Sequence, residues 1–132
     1  MVEIRYQIVA NAGHTIRKAL IIGVRYAACR RQFSSIPGTK EERKLLDYQA
    51  HMFKLGPILA DSYVMCVVGV QLHKFRDIMN EEVKVGKFKT LDFMHHLTSG
   101  LKSIYSQTAY DAIDLIRTNC GAAGYSVWSG LP

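Results

Sequence analysis

The sequence predicts an all-α protein: an up-down bundle of three long helices, one short of a complete four-helix bundle. Three observations lead there. Apolar residues recur every three or four positions through three long stretches of the 132 residues. No segment alternates apolar and polar residues with a period of two over the length of a strand. Clusters of turn-forming residues fall where one periodic stretch hands over to the next.

From Glu3 to Phe33 the positions Ile4, Ile8, Ala12, Ile16, Leu20, Gly23 and Ala27 form one stripe, the mark of a single helix. Such a helix has about 30 residues and is roughly 45 Å long. Small residues along it (Ala12, Ala19, Gly23, Ala27, Ala28) let a neighbouring helix come close. The run Ser34-Ser35-Ile36-Pro37-Gly38-Thr39 ends it with breakers. Thr39, with Glu42 three positions on, reads as a capping box that opens a second helix. That helix carries Leu45, Tyr48, Gln49, Met52, Leu55, Leu59, Cys66 and Val70 on its stripe and runs to about Val85. Pro57 lacks an amide donor and is expected to kink or split it, and Gly86 between Lys84 and Lys87 reads as its stop. A third stripe, Leu91, Met94, Leu97, Leu101, Ile104, Thr108, Ala112 and Leu115, closes near Asn119 before Gly121. Three amphipathic helices leave one apolar groove without cover. It is expected between Ile4, Ile8, Ile16 and Leu20 of the first helix and Met94, Leu101, Ile104 and Leu115 of the third. An uncovered patch of that kind marks a partner surface, so the chain is expected to pair with a second copy or with other chains.

Composition narrows the function. Hydrophobic residues make up 48% and charged residues 21%, the proportions of a folded domain, and the length suits a single one spanning residues 1–132. The three cysteines, Cys29, Cys66 and Cys120, are odd in number and far apart, which argues for reduced thiols. The longest unbroken apolar run, Val64 to Val70, falls short of the roughly 20 residues of a transmembrane segment, so none is expected. The first thirty residues lack a signal-peptide block, and Ser129-Gly130-Leu131-Pro132 is no peroxisomal tripeptide, so an intracellular chain without a visible address is expected.

The net charge is +6 and lies toward the N-terminus. Between Ile4 and Lys40 stand seven basic residues and no acid. No nucleic-acid motif accompanies them, which disfavours DNA or RNA as partner; a phosphate-bearing cofactor uses the same charges more economically. His14, His51, His73, His95 and His96 contain no pair at the i,i+4 spacing of a helical metal site, so no metal is expected. No nucleophile elbow is present, and no catalytic residue is assigned.

Two strings stand out. Arg25-Tyr26-Ala27-Ala28-Cys29-Arg30-Arg31-Gln32-Phe33 places cations at the negative end of a helix, or else presents a guanidinium fork to a pyrophosphate. Cys120-Gly121-Ala122-Ala123-Gly124-Tyr125 is a helix cap and turn, or else a backbone that a cofactor approaches closely. Spacing alone leaves both pairs of readings open.

Taken with Met1-Val2-x-x-Arg5, Leu46-Asp47-Tyr48-Gln49 followed by Leu55, Pro57, Leu59-Ala60 and Tyr63, and Ser99-Gly100-Leu101-Lys102, these strings resemble one family over the whole chain: the peroxisomal acyl-CoA oxidases. The segment Cys120 to Ser126, followed by Ser129-Gly130-Leu131-Pro132, is similar to that family's "CGGHGYS…SGLP". The resemblance implies an acyl-CoA dehydrogenase-like helical domain that binds FAD between subunits. The complete enzyme oxidises a fatty acyl-CoA to the trans-2-enoyl-CoA in β-oxidation and passes the electrons to oxygen, giving hydrogen peroxide. It implies that Arg30 reaches the FAD pyrophosphate of a neighbouring subunit and that Gln32 and Phe33 sit against the nucleotide. The Gly121-Ala122 turn would lie along the adenosine half, and Arg5 near the reacting end of the acyl chain. Ala122 and Ala123 replace the family's glycine and histidine, and a Cβ at 122 costs about 1 kcal/mol if that backbone angle is open only to glycine. The family's base is a glutamate in an "EG-[DE]-N" loop after "SGLP"; these 132 residues do not contain it, so they are not expected to be active alone. The resemblance implies the peroxisome. The alternative is an oxidase-derived structural subunit of a larger assembly, for which a mitochondrion or other organelle would serve.

Overall fold

In the computed structural model, which describes residues 1–34 and 36–131, the chain is an all-α bundle built on three long helices. They are α1 (Val2–Cys29), α2 (Gln49–Lys84) and α3 (Lys89–Asn119). Between α1 and α2 the chain forms a two-stranded antiparallel ribbon, β1 (Arg31–Ser34) and β2 (Glu42–Lys44), and after α3 it closes with short 3-10 turns. Ser35 in the expected breaker run and Pro132 in the last motif lie outside the described residues.

The chain forms two compact units. The first comprises residues 1–15 and 61–110. Its core takes Tyr6, Val9 and Ala10 from α1, Met65, Leu72 and Met79 from α2, and Met94 and Tyr105 from α3. The helical spacing of these positions is the reason each segment is a helix with one buried side. Glycines set the approach of α1 to α2 here: a Cβ on Gly13 would stand 2.8 Å from the Cys66 amide nitrogen, and one on Gly69 would stand 3.0 Å from the Ala10 carbonyl oxygen. The polar members are satisfied internally. Thr98 Oγ1 donates to Met94 O at 2.6 Å, and the buried Tyr6 hydroxyl hydrogen-bonds to His73.

The second unit comprises residues 16–60 and 111–132. Ile16, Ala19, Leu20 and Ala27 of α1, Leu55 and Ile58 of α2, Ala112 and Ile116 of α3, and Leu131 are buried. The small stripe on α1 has the role its residues suggest: a Cβ on Gly23 would stand 2.6 Å from Ile116 Cγ2.

Several boundaries differ from the sequence expectation. The first helix stops at Cys29, four residues before Phe33, because Arg31 to Ser34 pair with Glu42 to Lys44 in the ribbon. Thr39 caps no helix. Its hydroxyl pairs with Ser34 Oγ at 2.6 Å and donates to Ile36 O at 2.9 Å, tying the bend of the ribbon, so α2 begins only at Gln49. Pro57 does not split α2, which runs continuously through it with Leu55 and Ile58 buried on either side. Gly86 does end the helix: at φ +75° it lets Lys87 N donate to Glu82 O and Gly86 N to Val83 O, a Schellman pair. By length and composition α2 is apolar enough to cross a membrane, with 33% of that stretch buried. The core helix of a folded domain passes the same test, and no transmembrane span is clearly indicated among the described residues, in keeping with the expectation drawn from Val64–Val70.

The uncovered apolar surface is also not where periodicity places it. Ile16, Leu20 and Met94 are buried, Leu101 and Leu115 are half-buried, and only Ile4, Ile8 and Ile104 of that expected set are exposed. The larger exposed set is on α2, which is apolar on both sides.

Candidate functional site

Four of the six residues singled out from sequence meet in one cleft of the second unit. The cleft has a volume of about 550 Å³ and is lined by Arg30 and Gln32, by Tyr26, Leu45 and His51, and by residues 118–123, Gly121 and Ala122 included. A volume of this size suits a cofactor or small-molecule ligand.

One wall is the exit from α1. Arg30 N still donates to Tyr26 O at 2.7 Å, after which the chain leaves the helix, and Leu45 N donates back to Arg30 O at 2.9 Å. The Tyr48 hydroxyl donates to Gln32 O at 2.8 Å and pins the strand to the start of α2. With its own carbonyl held, Arg30 presents an exposed guanidinium to the cleft. Arg31 points its chemistry elsewhere: its guanidinium donates to Glu42 O at 3.1 Å, inside the ribbon.

The other wall is the end of α3. Gly121 has φ +59°, a left-handed angle that glycine adopts freely, and a Cβ there would meet nothing within 4 Å. Ala122 does not have a positive φ, so its Cβ causes none of the strain that a glycine-only angle would impose. Gly124, by contrast, is buried against the last turn of α3, where a Cβ would stand 2.9 Å from the Arg117 carbonyl carbon. Burial pushes the Cys120 thiol above the ordinary thiol range. His51 is held below the ordinary imidazole value, first by burial and then by the Lys54 ammonium. Lys54 Nζ donates to Asn119 Oδ1 at 3.4 Å, while Asn119 Nδ2 is buried with no hydrogen-bond partner among the described residues. A guanidinium, a neutral imidazole and accessible main chain line this cleft without a carboxylate. That combination accepts an anionic, hydrogen-bonding ligand.

The remaining two candidates lie apart from these. Phe33 is 70% exposed at φ +61°, where the ribbon register slips between Arg31 and Ser34, and it does not line the cleft. Arg5 belongs to the first unit, where it donates to Ser99 Oγ at 2.6 Å and hydrogen-bonds His95 Nε2 at 3.4 Å. Among the described residues no cluster of three or more histidine, cysteine or acidic side chains could hold a metal ion. Sequence reasoning missed Tyr26, Leu45, His51 and Asn119 as cleft residues. Tyr26 stood inside a quoted string, but nothing in the spacing of the others connects them to Arg30.

The "Acyl-CoA oxidase, C-alpha1 domain" family model matches residues 1–132. "Peroxisomal acyl-coenzyme A oxidase 1" of Bos taurus is 40% identical over 132 residues, which cover 100% of this chain and 20% of that protein. The structure of Arabidopsis thaliana acyl-CoA oxidase 1 superimposes with a TM-score of 0.89 at 37% identity, over 100% of this chain and 20% of that one. Acyl-CoA oxidase-2 of Caenorhabditis elegans, solved bound with FAD, ascaroside-CoA and ATP, does so with a TM-score of 0.90 at 33% identity, over 99% and 20%. The chain thus spans about one fifth of the length of the relatives it matches.

Proposed function

Starting from the fact that the chain belongs to the acyl-CoA oxidase family as its C-alpha1 domain, we propose that the Arg30 cleft holds the nucleotide end of FAD. The observation that carries this reading is the convergence of Arg30 and Gln32 with Gly121 and Ala122, some ninety residues later, on one cleft. The donor set fits the group. Arg30 supplies a charge-assisted donor for a pyrophosphate, Gly121 leaves the backbone open to close approach, and the partnerless Asn119 Nδ2 is a donor beside it. Phe33, exposed next to Gln32, is free to lie against a nucleotide from outside the cleft.

When bound, FAD supplies the electron acceptor for oxidation of an acyl-CoA. This chain's part is to hold the cofactor at a subunit boundary. The proton is removed by a glutamate outside these residues, and Arg5, which donates to Ser99 Oγ, lies near the reacting end of the acyl chain. In this reading the 132 residues act as one domain of a peroxisomal β-oxidation enzyme whose electrons pass to oxygen as hydrogen peroxide. The names of the matching relatives support the compartment.

Titration of the purified chain with FAD, followed by flavin fluorescence, tests the reading. A lost charge-assisted contact is worth roughly 1.5–3 kcal/mol, so Arg30→Ala should weaken binding roughly 10- to 100-fold. Arg31→Ala, whose guanidinium is engaged with Glu42 O, should change it less than about threefold. Equal effects of the two, or no FAD binding by the unaltered chain, would leave the accessory-subunit reading in its place.

A further inference from the structure

His51 lines the same cleft as Arg30, and local contacts fix both. Leu45 N donates to Arg30 O at 2.9 Å, the Tyr48 hydroxyl donates to Gln32 O at 2.8 Å, and His51 N donates to Tyr48 O at 3.0 Å. The start of α2 is thereby tied to the strand that follows Arg30, and His51 is carried in its first turn. On its own the protein disfavours an imidazolium there. The ring is half-buried, the Lys54 ammonium stands one turn on, and the N-terminal end of a helix is the positive end of its dipole. The other ionisable groups lining the cleft bring no relief. They are Tyr26 and Arg30 of α1 and Cys120 after α3, whose thiol burial keeps protonated; none is a carboxylate.

A pyrophosphate diester reverses that balance. It is doubly anionic at neutral pH, and Arg30 offsets one of its charges. Arg31 does not offset the other, since its guanidinium donates to Glu42 O inside the ribbon, and Lys54 Nζ is engaged with Asn119 Oδ1. We propose that His51 is the second phosphate contact of the cleft: its imidazole takes up a proton as FAD binds and donates to a pyrophosphate oxygen alongside Arg30. The inference rests on the FAD reading of the cleft and adds to it a coupling between cofactor affinity and pH. The bound form carries one more proton than the free form, so FAD binding strengthens as the pH falls, by at most about tenfold per pH unit. The ligand's pyrophosphate keeps its charge over this range, and so does the Cys120 thiol, which leaves His51 as the group that titrates.

Flavin fluorescence titrations of the chain with FAD between about pH 8 and 6 read the affinity, and calorimetry near pH 7 in phosphate and in Tris counts the protons exchanged. Far-UV circular dichroism confirms that each variant folds. The unaltered chain should bind FAD roughly tenfold more tightly at about pH 6 than at about pH 8, with net proton uptake. His51→Gln keeps a hydrogen-bond donor but does not titrate. It should weaken binding roughly tenfold at about pH 6 and less at about pH 8, and should abolish the proton uptake. Arg30→Ala should weaken binding by a similar factor at both pH values, because a guanidinium stays charged throughout. FAD binding that depends on Arg30 but has the same pH profile in His51→Gln, or that takes up no proton, would overturn this inference and leave the Arg30 reading standing. Failure of the unaltered chain to bind FAD at any pH would overturn both.

Discussion

A single methyl group at position 124 should undo the turn that forms one wall of the cleft. A Cβ on Gly124 would meet the Arg117 carbonyl oxygen well inside contact distance, with the carbonyl carbon at 2.9 Å and Cys120 Cβ at 3.1 Å. Comfortable carbon–carbon contact is about 3.5–4.0 Å, so the turn and the end of α3 must part by about 1 Å. The obstacle is main chain inside a helix and cannot rotate away. Cys120 N donates to that same Arg117 oxygen at 3.2 Å, and the Arg117 guanidinium lies 5.0 Å from the centre of the Tyr125 ring, so the displacement disturbs both contacts. Overpacking costs about 1–3 kcal/mol, and a spoiled terminal hydrogen bond adds about 1 kcal/mol. Gly124→Ala is therefore expected to lower stability by about 3 kcal/mol, or the melting temperature by roughly 10 °C for a domain of this size. Gly121→Ala is the control, since its left-handed angle costs about 1 kcal/mol but its Cβ meets nothing within 4 Å. Thermal unfolding followed by circular dichroism ranks the two. If Gly124→Ala costs less than about 0.5 kcal/mol, or no more than Gly121→Ala, the turn does not pack on Arg117 as described and the cleft wall built on it fails.

Two further outcomes concern the chemistry of the cleft. His51 is held below its unfolded value by burial and by Lys54, so the unfolded chain takes up a proton first as the pH falls. Its contribution is fully present above about pH 6.5 and is lost as the pH drops from there through the lower folded value, so His51→Gln should flatten the fall in melting temperature between about pH 7.5 and 5.5; an unchanged slope would show that His51 is not the group responsible. Cys120 is buried with its thiol pushed upward, whereas Cys29 is exposed, so iodoacetamide at about pH 8 should label Cys29 rapidly and reach Cys120 only after denaturation. Mass spectrometry of the labelled peptides checks this, and early labelling of Cys120 would contradict its burial.

The three helices were legible in the sequence because burial on one side of a helix imprints a period on its own residues. Ile16 and Leu20, Leu55, Met94 and Ala112 are buried as their spacing predicts, and Gly86 stops α2 because a left-handed angle is a local demand. The ribbon was not legible. Arg31 to Ser34 and Glu42 to Lys44 lie mostly in solvent, so backbone pairing and the Tyr48 anchor hold them without the alternation that marks a half-buried strand. Thr39 and Glu42 satisfy the spacing of a capping box, yet Thr39 turns the ribbon instead, because its hydroxyl has nearer partners in Ser34 and Ile36.

The strings around Arg30 and Gly121 suggested a site, but each alone reads equally well as a helix end. Only the tertiary structure put Arg30, His51 and Asn119 on one cleft, aimed Arg31 away from it, and freed Ala122 from strain. The position of the uncovered apolar face was decided in the same way. Periodicity shows that a side is apolar, but α2 has two such sides, and which one meets water depends on where α1 and α3 pack. Local sequence determines which residues share a face of a helix; contacts between segments far apart in the chain determine what that face touches.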